Sequence, residues 1–366
     1  MTSRILFVVT GLGIGGAETL LLAIAEEAMK RGDEVVIASL QSDNPLTPRF
    51  EAAGLEVVEL GASSNRFPVA AILKLRSIIK QRQITFVQGW MYHGNLVAYL
   101  ASRLAGLKPR TQTAFGIFGV WPDMSTYGKV TGLVAQAGGF LSKRVCRVVY
   151  NAVSAATDHE ERGYHSAGSL AIGNCIDLDH FQRDSDVRQR LRDQVGVTDD
   201  SVVAVIAARN HPQKDWPTML AALSQVDNLH VFAIGHKTED LPHHDRLHRL
   251  GPRDNMVEWY SASDFFVLTS AFGEGTSLGM SEAMSCSLPV IMTDVGDNGQ
   301  FVEGAGFTVG IGDVADLRDK ADRLTRDPVL RHAYSSRARE LALEHFSTQK
   351  NAQPLFEIFD AAGRMS

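Results

Sequence analysis

The stretch Ile5-Leu6-Phe7-Val8-Val9-Thr10-Gly11-Leu12-Gly13-Ile14-Gly15-Gly16-Ala17 decides the fold. Five consecutive apolar residues fit a strand buried on both faces, the glycines that follow fit a tight turn, and residues 17–31 carry helical periodicity. A second strand is expected at residues 34–39, which completes one βαβ unit. Outward from there the pattern repeats, with strands expected at 56–58, 84–87, 111–115 and 145–150 and helices at 69–81, 95–104 and 127–141. After the charged stretch 182–200 a second series begins: strands at 202–207, 229–234, 265–269 and 289–293, a helix at 216–224 and another after Glu274. Such alternation implies parallel sheets. The expected fold class is therefore α/β, two Rossmann-like doubly wound domains facing a cleft. Residues 1–175 are expected to form the N-terminal domain, 176–345 the C-terminal domain, and 346–366 a helix packing back toward the N-terminal domain.

Composition agrees with two ordinary cores. The chain has 366 residues, 45% hydrophobic and 21% charged. A net charge of −6 argues against a general nucleic-acid binder, yet residues 1–170 carry 17 Lys and Arg against 13 Asp and Glu. That basic half is the better candidate for an anionic or lipid-linked partner, and Arg66, Lys74, Arg76, Lys80, Arg82, Lys143, Arg144 and Arg147 motivate a peripheral contact with an anionic membrane. Cys146, Cys175 and Cys286 are odd in number, far apart and without metal-ligand spacing, so neither a disulfide framework nor a metal site is expected. No run of 18 apolar residues exists to span a bilayer, and the glycines up to Gly16 interrupt any signal-like start. The expected location is the cytoplasm, at most peripheral at the inner face of the cell membrane.

Gly11, Gly13 and Gly16 spell the dinucleotide fingerprint literally. That fingerprint needs an acid at the end of the second strand to hold a ribose, and here the strand ends Ile37-Ala38-Ser39-Leu40-Gln41-Ser42. Gly15 and Gly16 then read as a backbone cradle for a diphosphate or an acceptor, with a plain strand-to-helix turn as the alternative.

The second series holds Glu274-Gly275-Thr276-Ser277-Leu278-Gly279-Met280-Ser281-Glu282. A helix opening at the Gly-Thr-Ser turn would present backbone N–H groups and partial positive charge, so Gly275, Thr276, Ser277 and Leu278 are expected to hold a diphosphate. Glu274 and Glu282 are placed to accept from hydroxyls on either side of it, unless they are only solvated acids on an amphipathic helix. Arg209 and Lys214 lie on the loop after the strand at 202–207, where two cations would neutralise a diphosphate leaving group without a metal. His93, at the start of a helix, is a candidate for bonding a sugar hydroxyl or assisting proton transfer, with a structural histidine as the alternative. His243, His244 and His248 read as a solvated polar loop.

Taken together, the chain resembles a family 4 retaining glycosyltransferase of the GT-B fold. The resemblance rests on Gly15 to Glu18, Trp90 to Asn95, Tyr150 to Ser154, Asn174 to Asp177 with Phe181, Arg209 with Lys214, Ser270 to Glu282, and Val295 to Asn298. It implies that Glu274 contacts donor-sugar hydroxyls, Glu282 the ribose, and Gly275 to Leu278 with Arg209 and Lys214 the diphosphate. It also implies that backbone near Gly251 and Arg253 lines a nucleobase pocket. The expected catalytic set is Glu274, His93, Arg209 and Lys214. The nucleotide-sugar, most simply a UDP-sugar, is a co-substrate, and no cofactor or divalent metal is expected.

The nearest kinds of enzyme extend lipopolysaccharide, capsule or exopolysaccharide units on glycan or lipid-linked acceptors. A GT-B epimerase or hydrolase, a small-molecule acceptor, and a non-catalytic nucleotide-sugar-binding protein are the alternatives. Three departures stand out: Ala114-Phe115-Gly116-Ile117-Phe118-Gly119 replaces an Asn-Ile-Arg-His-type segment, Cys175 replaces a glycine, and Met280-Ser281 replaces more aliphatic residues.

Overall fold

The computed structural model describes residues 2–62, 68–121 and 124–364, with backbone only at 124–128. Arg66 lies outside the described residues. The chain divides into two compact units, Met1–Cys175 with Thr348–Ser366, and Ile176–Ser347.

In chain order the first unit runs β1 (Arg4–Val9), α1 (Gly16–Lys30), β2 (Glu34–Ser39), α2 (Thr47–Ala52), β3 (Glu56–Glu59), α3 (Val69–Gln81) and β4 (Phe86–Trp90). It continues through α4 (Met91–Ala105), α5 (Pro109–Gln112), β5 (Thr113–Ile117), α6 (Met124–Ser142), β6 (Arg147–Tyr150), α7 (Val153–Glu160) and β7 (Ser169–Ala171). Among the described residues these strands form one parallel sheet in the order β3-β2-β1-β4-β5-β6-β7. Side chains alternate across it: Leu6 and Val8 pack against α3 and α4, while Ile5, Phe7 and Val9 pack against α1.

The second unit holds α8 (Ser185–Gln194), β8 (Val202–Ala207), α9 (Trp216–Leu223), β9 (Leu229–Ile234), β10 (Leu247–Gly251), α10 (Met256–Ser261) and β11 (Phe265–Leu268). Then come α11 (Leu278–Ser285), β12 (Val290–Thr293), β13 (Gly306–Val309), α12 (Val314–Arg326) and α13 (Pro328–His345). Its sheet is also parallel, in the order β10-β9-β8-β11-β12-β13. Finally α14 (Thr348–Gly363) returns to the first unit, where Phe359 meets Phe7 and Phe86 edge-on or tilted. Residues 328–363 thus form two helices, α13 and α14. They are separated at Phe346 and Ser347, whose backbone takes up Ile176: the Ile176 N–H donates to Phe346 O at 2.8 Å.

Two expectations need correction. Strand β4 runs on to Trp90 and α4 begins at Met91, four residues before the expected helix start. Gly94 lies inside this helix, and glycine is needed there because a Cβ would come 2.3 Å from Val8 O. His248 is no loop residue: it lies half-buried on β10, with its Nε2 3.0 Å from His230 Nδ1. Leu247-His-Arg-Leu-Gly is too short and polar to announce an edge strand.

Candidate functional site

In each sheet the strand order reverses beside the first strand, between β1 and β4 and between β8 and β11. Loops leaving the carboxyl ends of the strands at such a point diverge and leave a crevice. Most of the candidates sit on those loops or in the first turn of the helix that follows. Arg209 and Lys214 follow β8, Glu274 to Leu278 follow β11, Gly15 and Gly16 follow β1, and His93 follows β4.

Within the second unit the fold brings Lys214 and Glu274 together. Lys214 Nζ contacts Glu274 Oε1, which also accepts from Ser270 Oγ at 2.6 Å. Both members of the pair are largely withdrawn from water, with side chains 16% and 9% exposed. Lys214 has further N–H donors beyond this contact, so pairing with Glu274 leaves it able to bind an anion. Arg209 remains exposed, and one guanidinium N–H is anchored to Gln213 Oε1 at 3.1 Å. Gln213 in turn donates from Nε2 to Gly273 O at 2.9 Å, which ties the cation loop to the glutamate loop. His211, beside both cations, has its pKa lowered, first by burial and then by Arg209 and Lys214.

The turn itself is built from the far side. Ser277 caps α11 by accepting from Met280 N, and its own N–H donates to Asn298 Oδ1 at 2.8 Å. Gly296 makes room for this: its φ is +68°, and a Cβ would fall 2.3 Å from Glu274 O and Gly275 O. The Ser277 amide is therefore already bonded, whereas the Leu278 and Gly279 amides make no hydrogen bond among the described residues. That narrows the expected diphosphate cradle. Glu282, one turn into α11, is 8% exposed and accepts from Tyr260 Oη at 2.9 Å. The Tyr260 hydroxyl is held well above its ordinary pKa by burial and by Glu282, so it stays a donor. Arg253 is exposed, with its guanidinium 5.6 Å from the Trp259 ring centre.

In the first unit, Val9 and Trp90 are register partners, so the glycine loop and the start of α4 leave the sheet side by side. Trp90 Nε1 donates to Ala17 O at 3.0 Å, pinning the start of α1. Phe118 lies 4.0 Å from the Trp90 ring, and Asn95 brackets Gly116 by giving to its carbonyl and accepting from its amide. The unusual segment after Thr113 is thus packed around Trp90. Gly15 is extended, at φ −169°, and a Cβ there would meet only the end of the Glu18 side chain. Neither conformation nor packing demands glycine at that position. Glu18 has its pKa raised by burial, and burial lowers that of half-buried His93.

Sequence reasoning missed Ser270, Gln213, Tyr260 and Asn298 as supports. Ser270 and Asn298 fell within the segments that carry the resemblance and Gln213 stands next to Lys214, but nothing local marks Gln213 or Tyr260 as a support.

Two family models match the chain. Residues 14–180 match "Glycosyltransferase Family 4" and residues 200–327 match "Glycosyl transferases group 1". The N-acetyl-alpha-D-glucosaminyl L-malate synthase of Bacillus anthracis is 32% identical over 138 residues, 37% of this chain and 33% of that protein. The lipopolysaccharide core biosynthesis mannosyltransferase LpsB of Rhizobium meliloti is 26% identical over 183 residues, 48% of this chain and 50% of that protein. The matches span a third and a half of those relatives. Among solved structures, Anabaena HepE in complex with UDP and glucose aligns over 98% of this chain and 100% of its own, with a TM-score of 0.85 at 18% identity.

Two parallel-sheet α/β units with these strand orders match the fold of GT-B glycosyltransferases. The chain belongs to the GT-B glycosyltransferases, its first unit matching family 4 and its second group 1.

Proposed function

We propose that the protein transfers a hexose or N-acetylhexosamine from a UDP-sugar to a glycan or lipid-linked acceptor, with retention at the anomeric carbon, in surface polysaccharide assembly. The observation that carries this reading is the meeting of Lys214, Glu274 and the start of α11 at the point where the strand order reverses. A cation, a carboxylate and a helix N-terminus on one crevice suit a sugar diphosphate: anion at the amides and Lys214, hydroxyls at Glu274. The presence of UDP in the HepE complex supports the choice of nucleotide, and LpsB supports the pathway class.

In this mechanism the bond from the anomeric carbon to the diphosphate breaks while the acceptor oxygen bonds on the same face. The acceptor proton passes to the departing phosphate oxygen. Arg209, Lys214 and the amides of Leu278 and Gly279 stabilise the charge that develops there. Glu274 positions the sugar through its hydroxyls, and Glu282 holds the ribose. His93, kept neutral by burial, accepts from a sugar hydroxyl. Arg253 borders the base. With two cations on the leaving group the reaction needs no divalent metal, so turnover should survive EDTA. The free cysteines fit a cytoplasmic enzyme working at the inner face of the cell membrane.

The test is a donor screen read by nucleoside diphosphate release, with product configuration read by NMR. Arg209→Ala, Lys214→Ala and Glu274→Ala should each cut turnover on the order of a hundred-fold or more. Full activity in all three would refute the assignment, and free or epimerised sugar without acceptor product would mean a hydrolase or epimerase.

A further inference from the structure

Helices α3, α4 and α6 share one face of the first sheet: α3 and α4 cover Leu6, Val8 and Val87, and α4 and α6 cover Phe115 and Ile117. None of the three contains an Asp or a Glu. The whole stretch 60–157 holds twelve Lys and Arg and a single acid, Asp123. For a chain of net charge −6 this is a strong local inversion.

The same helices turn apolar side chains to water. Twelve large hydrophobic residues are well exposed among the described residues, and six of them, Val69, Leu73, Leu104, Val130, Leu133 and Phe140, lie here. On α6 the exposed residues Val130, Leu133, Ala137 and Phe140 recur every three or four positions and form one stripe along the helix. Val130, Leu133 and Phe140 are each about two-thirds exposed, at 67%, 66% and 65%. Around these residues stand Lys74, Lys80, Arg103, Lys129, Lys143 and Arg144, all exposed and none in an ion pair among the described residues. Arg144 lies 4.2 Å over the Phe140 ring, joining the basic and apolar parts. Acids return only at α7, where Asp158 is paired with Arg162 and accepts from the Trp121 N–H.

We propose that this face, centred on α6, docks the protein on an anionic lipid bilayer, with the apolar stripe entering the headgroup boundary and the cations meeting the lipid charges. Charge complementarity selects this occupant. A second copy would bring cation against cation, and a nucleic acid would leave the leucine and phenylalanine side chains without partners. An apolar stripe within an acid-free basic surface fits a bilayer interface on both counts. Among the described residues no helix is long and apolar enough to cross a membrane, so the contact is one of lying on the surface. The proposal deepens the lipid-linked acceptor reading and draws its biological purpose from it.

The experiment is sedimentation of the full chain with phosphatidylcholine vesicles, with and without phosphatidylglycerol, at low and high salt. Binding should require the anionic lipid and weaken with salt. Leu133→Glu with Phe140→Glu, and separately Lys143→Glu with Arg144→Glu, should each lower partitioning on the order of ten-fold or more. Val329→Glu, an exposed apolar position on α13, should not. Circular dichroism checks each fold, and if the stripe variant fails to fold the charge reversal carries the test. UDP titration in the same preparations should be unchanged, which separates loss of docking from loss of donor binding. The proposal is overturned by wild-type protein that stays in solution with anionic vesicles at low salt. It is equally overturned by unaltered partitioning of the folded variants, or by a wild-type dimer that the stripe variant dissociates.

Discussion

Tyr260 and Asn298 touch no expected ligand, yet each fixes a residue that should. Tyr260→Phe removes one donor from the buried Glu282 carboxylate, which should cost about 1–3 kcal/mol of stability and weaken UDP binding. Calorimetric titration and thermal unfolding read the two effects; unchanged affinity would mean that Glu282 does not need this orientation. Asn298→Ala strips the partner from the Ser277 amide, so the α11 turn should loosen and turnover fall further than Tm. Preserved turnover would show that the turn holds without it. The lysine, the arginine and the two glutamates were legible in the sequence because they follow strand ends, where parallel sheets place their sites. Their supports were not, since Tyr260 reaches Glu282 from a different helix and Gln213 reaches Gly273 across 60 residues of chain.

Among the elements, α4 is the most tightly constrained at its start. Gly94→Ala would gain helix propensity of about 1 kcal/mol, but its Cβ would fall 2.3 Å from a backbone oxygen of β1 that cannot yield. Overpacking of that kind costs about 1–3 kcal/mol or more, so the variant should melt earlier despite the better helix former. A higher Tm would show that α4 can shift without penalty. Long apolar strands such as β1, β8 and β11 were legible because burial on both faces leaves an uninterrupted run. The edge strands β7, β10 and β13 were not, because each has a partner on one side only and carries polar or glycine residues.

At the scale of the whole molecule, each unit holds a histidine whose pKa is lowered by burial, full for His159 and partial for His248. His159 has no exposed surface, lies 2.8 Å from Tyr92 Oη through Nε2, and has its pKa lowered chiefly by burial. His248 falls to about 4, through burial and then His230. A lowered folded-state pKa means that the unfolded chain binds more protons below its own value of about 6.5. Stability is therefore complete above that pH and falls as the solution is acidified below it in both units, for His248 down to about pH 4. Thermal unfolding between pH 7.5 and 4.5 should show a falling midpoint, and His248→Phe should flatten the second unit's share; a flat wild-type profile would contradict this.

The helix α14 gives the first unit a further property, in time rather than in space. Its Phe356 and Phe359 belong to the core that Phe7 and Phe86 begin, so β1 and β4 wait for a helix that is made after the whole second unit. The second unit is one unbroken segment, Ile176–Ser347. During synthesis it can therefore close before the first unit is complete, whose sheet must persist with the part of its α1 face around Phe7 and Phe86 uncovered until α14 emerges.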